Sequence, residues 1–131
     1  MNPIEKLHSL GQSIWYDNIE RRLLNNGELA GMIKRGEIRG VTSNPSIFNN
    51  AMAKSNDYDD ALVPLAKKGA SKEEIYETLA VADIQAACDL FRRLYDATNG
   101  GDGYVSLEVS PHLARDTDGT VAEARRLFAQ R

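Results

Sequence analysis

Gly40-Val41-Thr42-Ser43-Asn44-Pro45-Ser46-Ile47-Phe48 carries the chain out of a strand and into a helix within nine residues. Proline has no amide proton and pushes its predecessor away from the α region, so Asn44-Pro45 ends the strand predicted over 37–43 and opens a loop. Thr, Asn, Pro and Ser are also what any strand-to-helix turn uses, so by composition the segment is a turn. Upstream, 13–17 alternates with period two, Ile14 and Tyr16 on one face and Ser13, Trp15 and Asp17 on the other, which predicts a second strand. Before it, Asn2 caps a helix that begins at Pro3, Glu5 reaches back to it, and Gly11 stops it. From Asn18 the pattern is helical, with Ile19, Leu23 and Leu24 on one side, a break at Asn25-Asn26-Gly27 and a second piece to Arg35.

Downstream, helices are expected over about 46–53 and 57–68. Ser71-Lys72-Glu73-Glu74 is a capping box, and Ile75, Leu79, Ala82, Ala86, Leu90 and Leu94 recur at three and four residues, which predicts one long amphipathic helix to near Ala97. Asn99-Gly100-Gly101-Asp102-Gly103 turns the chain and 104–109 alternates as a third strand. A loop to Gly119 then leads to Thr120-Val121-Ala122-Glu123, read as the capping box of a last helix. An opening helix followed three times by a strand and its helices argues for an α/β fold with parallel strands. A three-stranded parallel sheet leaves both edges unpaired and one face uncovered, and Leu127-Phe128-Ala129-Gln130-Arg131 lies inside a helical pattern, so the domain is expected to be incomplete.

A chain of 131 residues is long enough for one domain or a piece of one, and 42% apolar with 27% charged residues places it among globular proteins. With 16 basic against 19 acidic residues the net charge of −3 has the wrong sign for a phosphate-backbone binder, so no nucleic-acid partner is expected. Cys88 has no second cysteine to pair with, and with His8 and His112 as the only histidines there is no zinc-ligand spacing. No metal or cofactor is expected, a reducing, cytoplasmic setting fits best, and the absence of an apolar run near 18 residues argues against a membrane span.

The third strand places Val105, Leu107 and Val109 on one face and Tyr104, Ser106 and Glu108 on the other. With the apolar face against helices, Glu108 points the opposite way near the strand's carboxyl end, where parallel α/β folds gather their chemistry. Asp17 holds the same kind of place on the first strand, and Thr42 with Asn44 on the second, so four polar groups are expected to converge. The plainer alternatives are that Asp17 caps the following helix and that Glu108 is a solvated carboxylate. Cys88 reads as a small buried hydrophobe, His112 as a loop residue at the rim, and Arg92-Arg93 and Arg125-Arg126 as solvated helix faces. Gly100-Gly101-Asp102-Gly103 enters a strand rather than a helix, the wrong context for a phosphate loop.

The string 40–48 also resembles the amino-terminal signature of the transaldolases. Ile14-Trp15-Tyr16-Asp17 is similar to that family's first strand, Leu79-Ala80-Val81-Ala82-Asp83-Ile84-Gln85 to its long helix, and Asp102-Gly103-Tyr104-Val105-Ser106-Leu107-Glu108-Val109-Ser110-Pro111 to its third strand. The resemblance implies that residues 1–131 are the amino-terminal part of a single (β/α)8 TIM barrel: an extra helix and the first three βα units. It implies a cofactor-free transfer of a dihydroxyacetone unit from sedoheptulose 7-phosphate to glyceraldehyde 3-phosphate, in the pentose phosphate pathway, through a lysine Schiff base. In these terms Glu108 matches the carboxylate that acts through a water as general acid and base. Asp17 matches the one that takes and returns the proton of the sugar hydroxyl at the bond being broken, and Asn44, with Thr42 near it, bonds the dihydroxyacetone hydroxyls. The family's lysine sits on strand four, past this chain. Lys6, Lys34, Lys54, Lys67, Lys68 and Lys72 all fall on predicted helices, their ends or loops, where an amine stays protonated at neutral pH. The chain alone is therefore expected to be inactive. Two alternatives stand beside this: a non-catalytic module that self-associates through open strand edges, and a lysine aldolase that cleaves fructose 6-phosphate.

Overall fold

The computed structural model describes residues 2–130. Helix α1 (Pro3–Ser9) is followed by β1 (Trp15–Tyr16), α2 (Arg21–Asn25), α3 (Glu28–Lys34), β2 (Gly40–Val41), α4 (Pro45–Ala53), α5 (Asp59–Lys67), α6 (Lys72–Ala97), β3 (Tyr104–Val105), a single 3-10 turn (Pro111–Leu113) and α7 (Thr117–Phe128). The three strands lie parallel in the order β1-β2-β3, so this is an α/β fold with a short parallel sheet.

The helix starts follow the local chemistry. Asn2 accepts from the Glu5 amide at 2.9 Å while Glu5 accepts from the Asn2 amide at 2.9 Å, and Ser71 with Glu74 repeats that reciprocal pair at the head of α6. Asn44 caps α4, accepting from the Ile47 amide at 2.9 Å with Pro45 at the first helical position. The last helix departs from expectation. It begins at Thr117, three residues before the expected capping box, because Asp116 accepts from the Gly119 amide at 2.9 Å. The Thr120 hydroxyl instead donates to the Leu113 carbonyl at 2.9 Å.

The regular strands are shorter than the predicted 13–17, 37–43 and 104–109. Flanking backbone bonds lengthen the pairing slightly: Arg39 N–H to Ile14 O at 2.7 Å, Thr42 N–H to Tyr16 O at 2.9 Å, Gly103 N–H to Arg39 O at 2.8 Å and Ser106 N–H to Val41 O at 3.0 Å. Past those points the chain leaves the ladder for the caps and loops that carry the polar residues.

Helix α6 packs along β3, α2, α3 and α5. Its buried residues are Leu79, Ala80, Asp83, Ile84, Ala87 and Phe91. That stripe is rotated from the expected one: Ala82 and Ala86 face outward, and the pair Ala80/Ala87 sits inside with Ile84 and Phe91. Small alanines occur on both sides of the helix, so spacing alone did not orient it; the bulky Phe91, wholly buried, does. Phe91, Phe48 and Val41 have no exposed surface and centre the core, each contributing about 1.5–3 kcal/mol over its exposed state.

The opposite face of the sheet is open. Trp15 and Tyr104 remain 38% and 41% exposed there, and between them the register places Gly40, over which the Trp15 indole lies. Beneath this face Asp102 accepts from the Ser13 hydroxyl at 2.7 Å and from Arg39 at 2.8 Å, and Ser13 accepts from the Trp15 indole N–H at 3.0 Å. These bonds join the amino end of the sheet to the turn before β3. Partial burial pushes the Asp102 carboxyl up, but the bonds from Ser13 and Arg39 and the Arg39 charge outweigh it and hold the carboxyl below its ordinary value.

Candidate functional site

In a parallel sheet, residues in register point to the same side. The triplets Trp15–Gly40–Tyr104 and Tyr16–Val41–Val105 therefore form successive rows, the first on the open face and the second on the helix face. The next row follows from the bonds of Thr42 to Tyr16 and of Ser106 to Val41. It holds Asp17, Thr42 and Ser106, on the open side and just past the carboxyl ends of the strands.

The structure closes part of that row. The Thr42 hydroxyl donates to the Asp17 carboxylate at 2.7 Å, linking two of the four expected site residues across β1 and β2. Ser43, 2% exposed, donates its hydroxyl to the Ser106 carbonyl at 2.6 Å and its amide to the Ser106 hydroxyl at 3.2 Å, tying β2 to β3 at the same height. Two adjacent residues thus lock the strand ends through side chains where the backbone ladder stops. Asp17 does not cap α2: the N-cap of that helix is Glu20, which makes no side-chain cap bond.

Asn44 and Glu108 are placed differently. The Asn44 side-chain oxygen is committed to the cap of α4, which leaves its amide group as the part able to donate. Glu108 is exposed and lines a cavity of about 360 Å³ with Tyr76, Leu107, Ser110 and His112, walled by α4, α6 and α7. Neither Asp17 nor Thr42 lines that cavity. Burial, with the Glu108 charge added, raises the Tyr76 hydroxyl above its ordinary value. Tyr76 also meets Phe48 edge-on at 6.0 Å. Of the four expected residues, then, hydrogen bonding joins Asp17 and Thr42, and the other two stand apart from that pair.

The remaining candidates fall where their residue types suggest. All six lysines are exposed on helices or helix ends. Cys88 is half-buried against the core, and His112 lies in the 3-10 turn at the mouth of the Glu108 cavity. Among the described residues no group of three or more His, Cys, Asp and Glu side chains is placed to hold a metal ion, and no helix is long and apolar enough to cross a membrane.

One cluster was not singled out from the sequence. Asp83, 2% exposed in the middle of α6, accepts from Arg21 Nε at 2.8 Å and from the Tyr58 hydroxyl at 2.5 Å. Burial pushes the Asp83 carboxyl up, opposed by those two bonds. A signal was present: Asp83 stands four residues from both Leu79 and Ala87, a carboxylate at helical spacing within the stripe that turns out to be buried.

A profile of the family described as Transaldolase/Fructose-6-phosphate aldolase matches residues 14–131. Among curated relatives, a protein named Transaldolase from Thiobacillus denitrificans is 53% identical over 129 residues, 98% of this chain and 36% of its own length. One of that name from Neisseria gonorrhoeae is 50% identical over the same shares, and one from Trichodesmium erythraeum is 46% identical over 97% of this chain and 33% of its own length. The chain spans about a third of the length of the curated relatives it matches.

Proposed function

This chain belongs to the transaldolase/fructose-6-phosphate aldolase family, and we propose that residues 1–131 are the amino-terminal part of a transaldolase barrel domain, carrying its first three βα units and supporting site residues but not its nucleophile. The observation that carries this is the Asp17–Thr42 bond on the open side of the sheet, at the carboxyl ends of parallel strands, where barrels of this class place their chemistry. The substrates are phosphorylated sugars, sedoheptulose 7-phosphate giving a dihydroxyacetone unit to glyceraldehyde 3-phosphate in the cytoplasm.

The proposed chemistry assigns each residue one act. A lysine from the part of the relatives' length that this chain does not span attacks the ketose carbonyl, and Glu108, through a water, moves the protons by which the carbinolamine loses its hydroxyl and becomes an imine. Asp17 takes the proton from the sugar hydroxyl as the neighbouring carbon–carbon bond breaks and its electron pair moves into the protonated imine. When the resulting enamine adds to the acceptor aldehyde, Asp17 returns a proton to the new alkoxide. Thr42 holds the Asp17 carboxylate by its hydroxyl, and Asn44 offers its amide to the hydroxyls of the three-carbon unit. In this assignment Glu108 reaches the Asp17 side once the rest of the barrel is in place.

The test is a chimera in which this chain replaces the matching 129-residue stretch of the Thiobacillus denitrificans protein. Transfer between the two sugar phosphates, lost by at least a hundredfold in Asp17→Asn and Glu108→Gln, is the expected result; a folded, inactive chimera, or active variants, overturns the proposal. Release of free dihydroxyacetone without an acceptor would instead identify a fructose 6-phosphate aldolase. A second proposal rests on the outer edges of β1 and β3, which pair with no strand among the described residues. Through them the chain self-associates, and a monomer at all concentrations in light scattering refutes it.

A further inference from the structure

We propose that Arg21, Tyr58 and Asp83 are positioning residues that fix the backbone bearing Asp17, an inference resting on the role proposed above for Asp17.

A buried carboxylate is costly unless it is paired, and Asp83 is paired twice, by Arg21 and by Tyr58. The Arg21 guanidinium also donates to the Leu79 carbonyl at 3.3 Å and lies 4.5 Å from the centre of the Tyr58 ring. What gives the cluster a direction is the remaining bond: the Tyr58 hydroxyl accepts from the backbone N–H of Arg21 at 3.1 Å. Arg21 is the first residue of α2, and Glu20 before it makes no side-chain cap bond. A tyrosine 37 residues away thus does for α2 what a local cap usually does. Burial and the neighbouring Asp83 charge raise the Tyr58 hydroxyl well above its ordinary value, so through the neutral range it stays protonated and able to donate to Asp83 while accepting from Arg21.

Three residues, Asn18, Ile19 and Glu20, separate Asp17 from Arg21, and Ile19 among them is 1% exposed. The link is pinned by the Asp83 cluster at one end and by the β1–β2 pairing at the other, so a displacement of Arg21 passes to Asp17 and to its bond with Thr42. A buried ion pair is weak evidence of a role in stability, because apolar residues of similar volume often replace one without loss. Directional bonds to the start of α2 are what apolar residues cannot supply.

The experiment is made on this chain, by nuclear magnetic resonance. Tyr58→Phe keeps the ring and removes the hydroxyl. The expected result is amide exchange at Arg21 faster by at least tenfold, with a shifted carboxyl carbon resonance for Asp17 and a shifted methyl resonance for Thr42. Leu23→Ala removes a buried side chain of α2 that makes none of the cluster's hydrogen bonds, and is expected to lower the unfolding midpoint and leave the Asp17 resonance in place. Arg21→Lys, which loses the guanidinium bonds to Asp83 and the Leu79 carbonyl but keeps the charge and the backbone N–H, is expected to shift the Asp17 and Thr42 resonances as Tyr58→Phe does, and it serves if the tyrosine variant does not fold. Unchanged Asp17 and Arg21 signals in the folded cluster variant, or an equal Asp17 shift in Leu23→Ala, overturns the proposal. No turnover is read, so an inactive chimera counts against the transaldolase proposal and not against this one.

Discussion

Gly40→Ala tests how the open face is built. A methyl group at Gly40 would stand 2.5 Å from two carbons of the Trp15 indole, about 1 Å inside ordinary contact. The obstacle is a side chain that is 38% exposed, so the ring can retreat, but its N–H is bonded to Ser13 at 3.0 Å and must let go. The lost bond costs about 0.5–1.5 kcal/mol and overpacking about 1–3 kcal/mol, while fixing the unfolded chain with alanine returns about 0.4–1 kcal/mol. The net is a destabilisation of roughly 0.5–4 kcal/mol, with central values giving about 2 kcal/mol. Trp15 is the only tryptophan, so urea unfolding followed by its emission reads both effects. At a mid-range slope of about 2 kcal/mol per molar urea the central value lowers the midpoint by about 1 M, and the native emission shifts to the red as the indole enters water. Native emission unchanged, with a midpoint equal to or above the parent's, would refute this packing of Trp15 on Gly40.

Phe48→Ala empties the middle of the core and removes the edge contact with Tyr76; a loss of about 3–5 kcal/mol in the same assay is expected. Thr42→Val removes the donor to Asp17 and should lower transfer by the chimera about tenfold or more, whereas Thr42→Ser restores most of it; steady-state rates check both. Asp102, whose folded carboxyl lies below the ordinary value of about 3.9, contributes stability that is present above that pH and lost as pH falls through the folded value. Unfolding midpoints between pH 6 and pH 2 should therefore fall more steeply in the parent than in Asp102→Asn, the two converging in acid. Asp83 works the other way, because its carboxyl is raised by burial: its ionised form weakens the fold as pH rises through the folded value, so the Asp102 effect is best read as the difference between the two proteins.

Much of this architecture is legible without coordinates because local chemistry settles it. Asn2, Asn44 and Ser71 announce their helices, Asn44-Pro45 ends a strand, and three strands alternating with helices can pair in parallel over intervening helices, as they do. The misreadings come from choices that sequence leaves degenerate. Asp116 and Thr120 each begin an acceptable cap, and the earlier one wins while Thr120 turns to the Leu113 carbonyl. Alanines on two sides of α6 leave its buried face ambiguous, and the packing of Phe91 and Ile84 into the core with Val41 and Val105 decides it. At the candidate site, strand alternation placed Asp17 beside Thr42, since both belong to one row of a parallel sheet. Asn44 and Glu108 lie past the ladder, where period two no longer governs direction. The Arg21–Tyr58–Asp83 cluster joins residues up to 62 positions apart, and no local pattern reports such a pairing.

The most direct measurement is the intact mass of this chain after borohydride reduction with fructose 6-phosphate, since reduction traps a lysine imine as a stable adduct. With all six lysines exposed on helices and helix ends, an unmodified 14.5 kDa species is expected, and under the same treatment an adduct on the active chimera. A 14.5 kDa chain that gains one reduced dihydroxyacetone unit, and gains nothing from sugars that are not substrates, would contradict it by showing that the nucleophile lies within these residues.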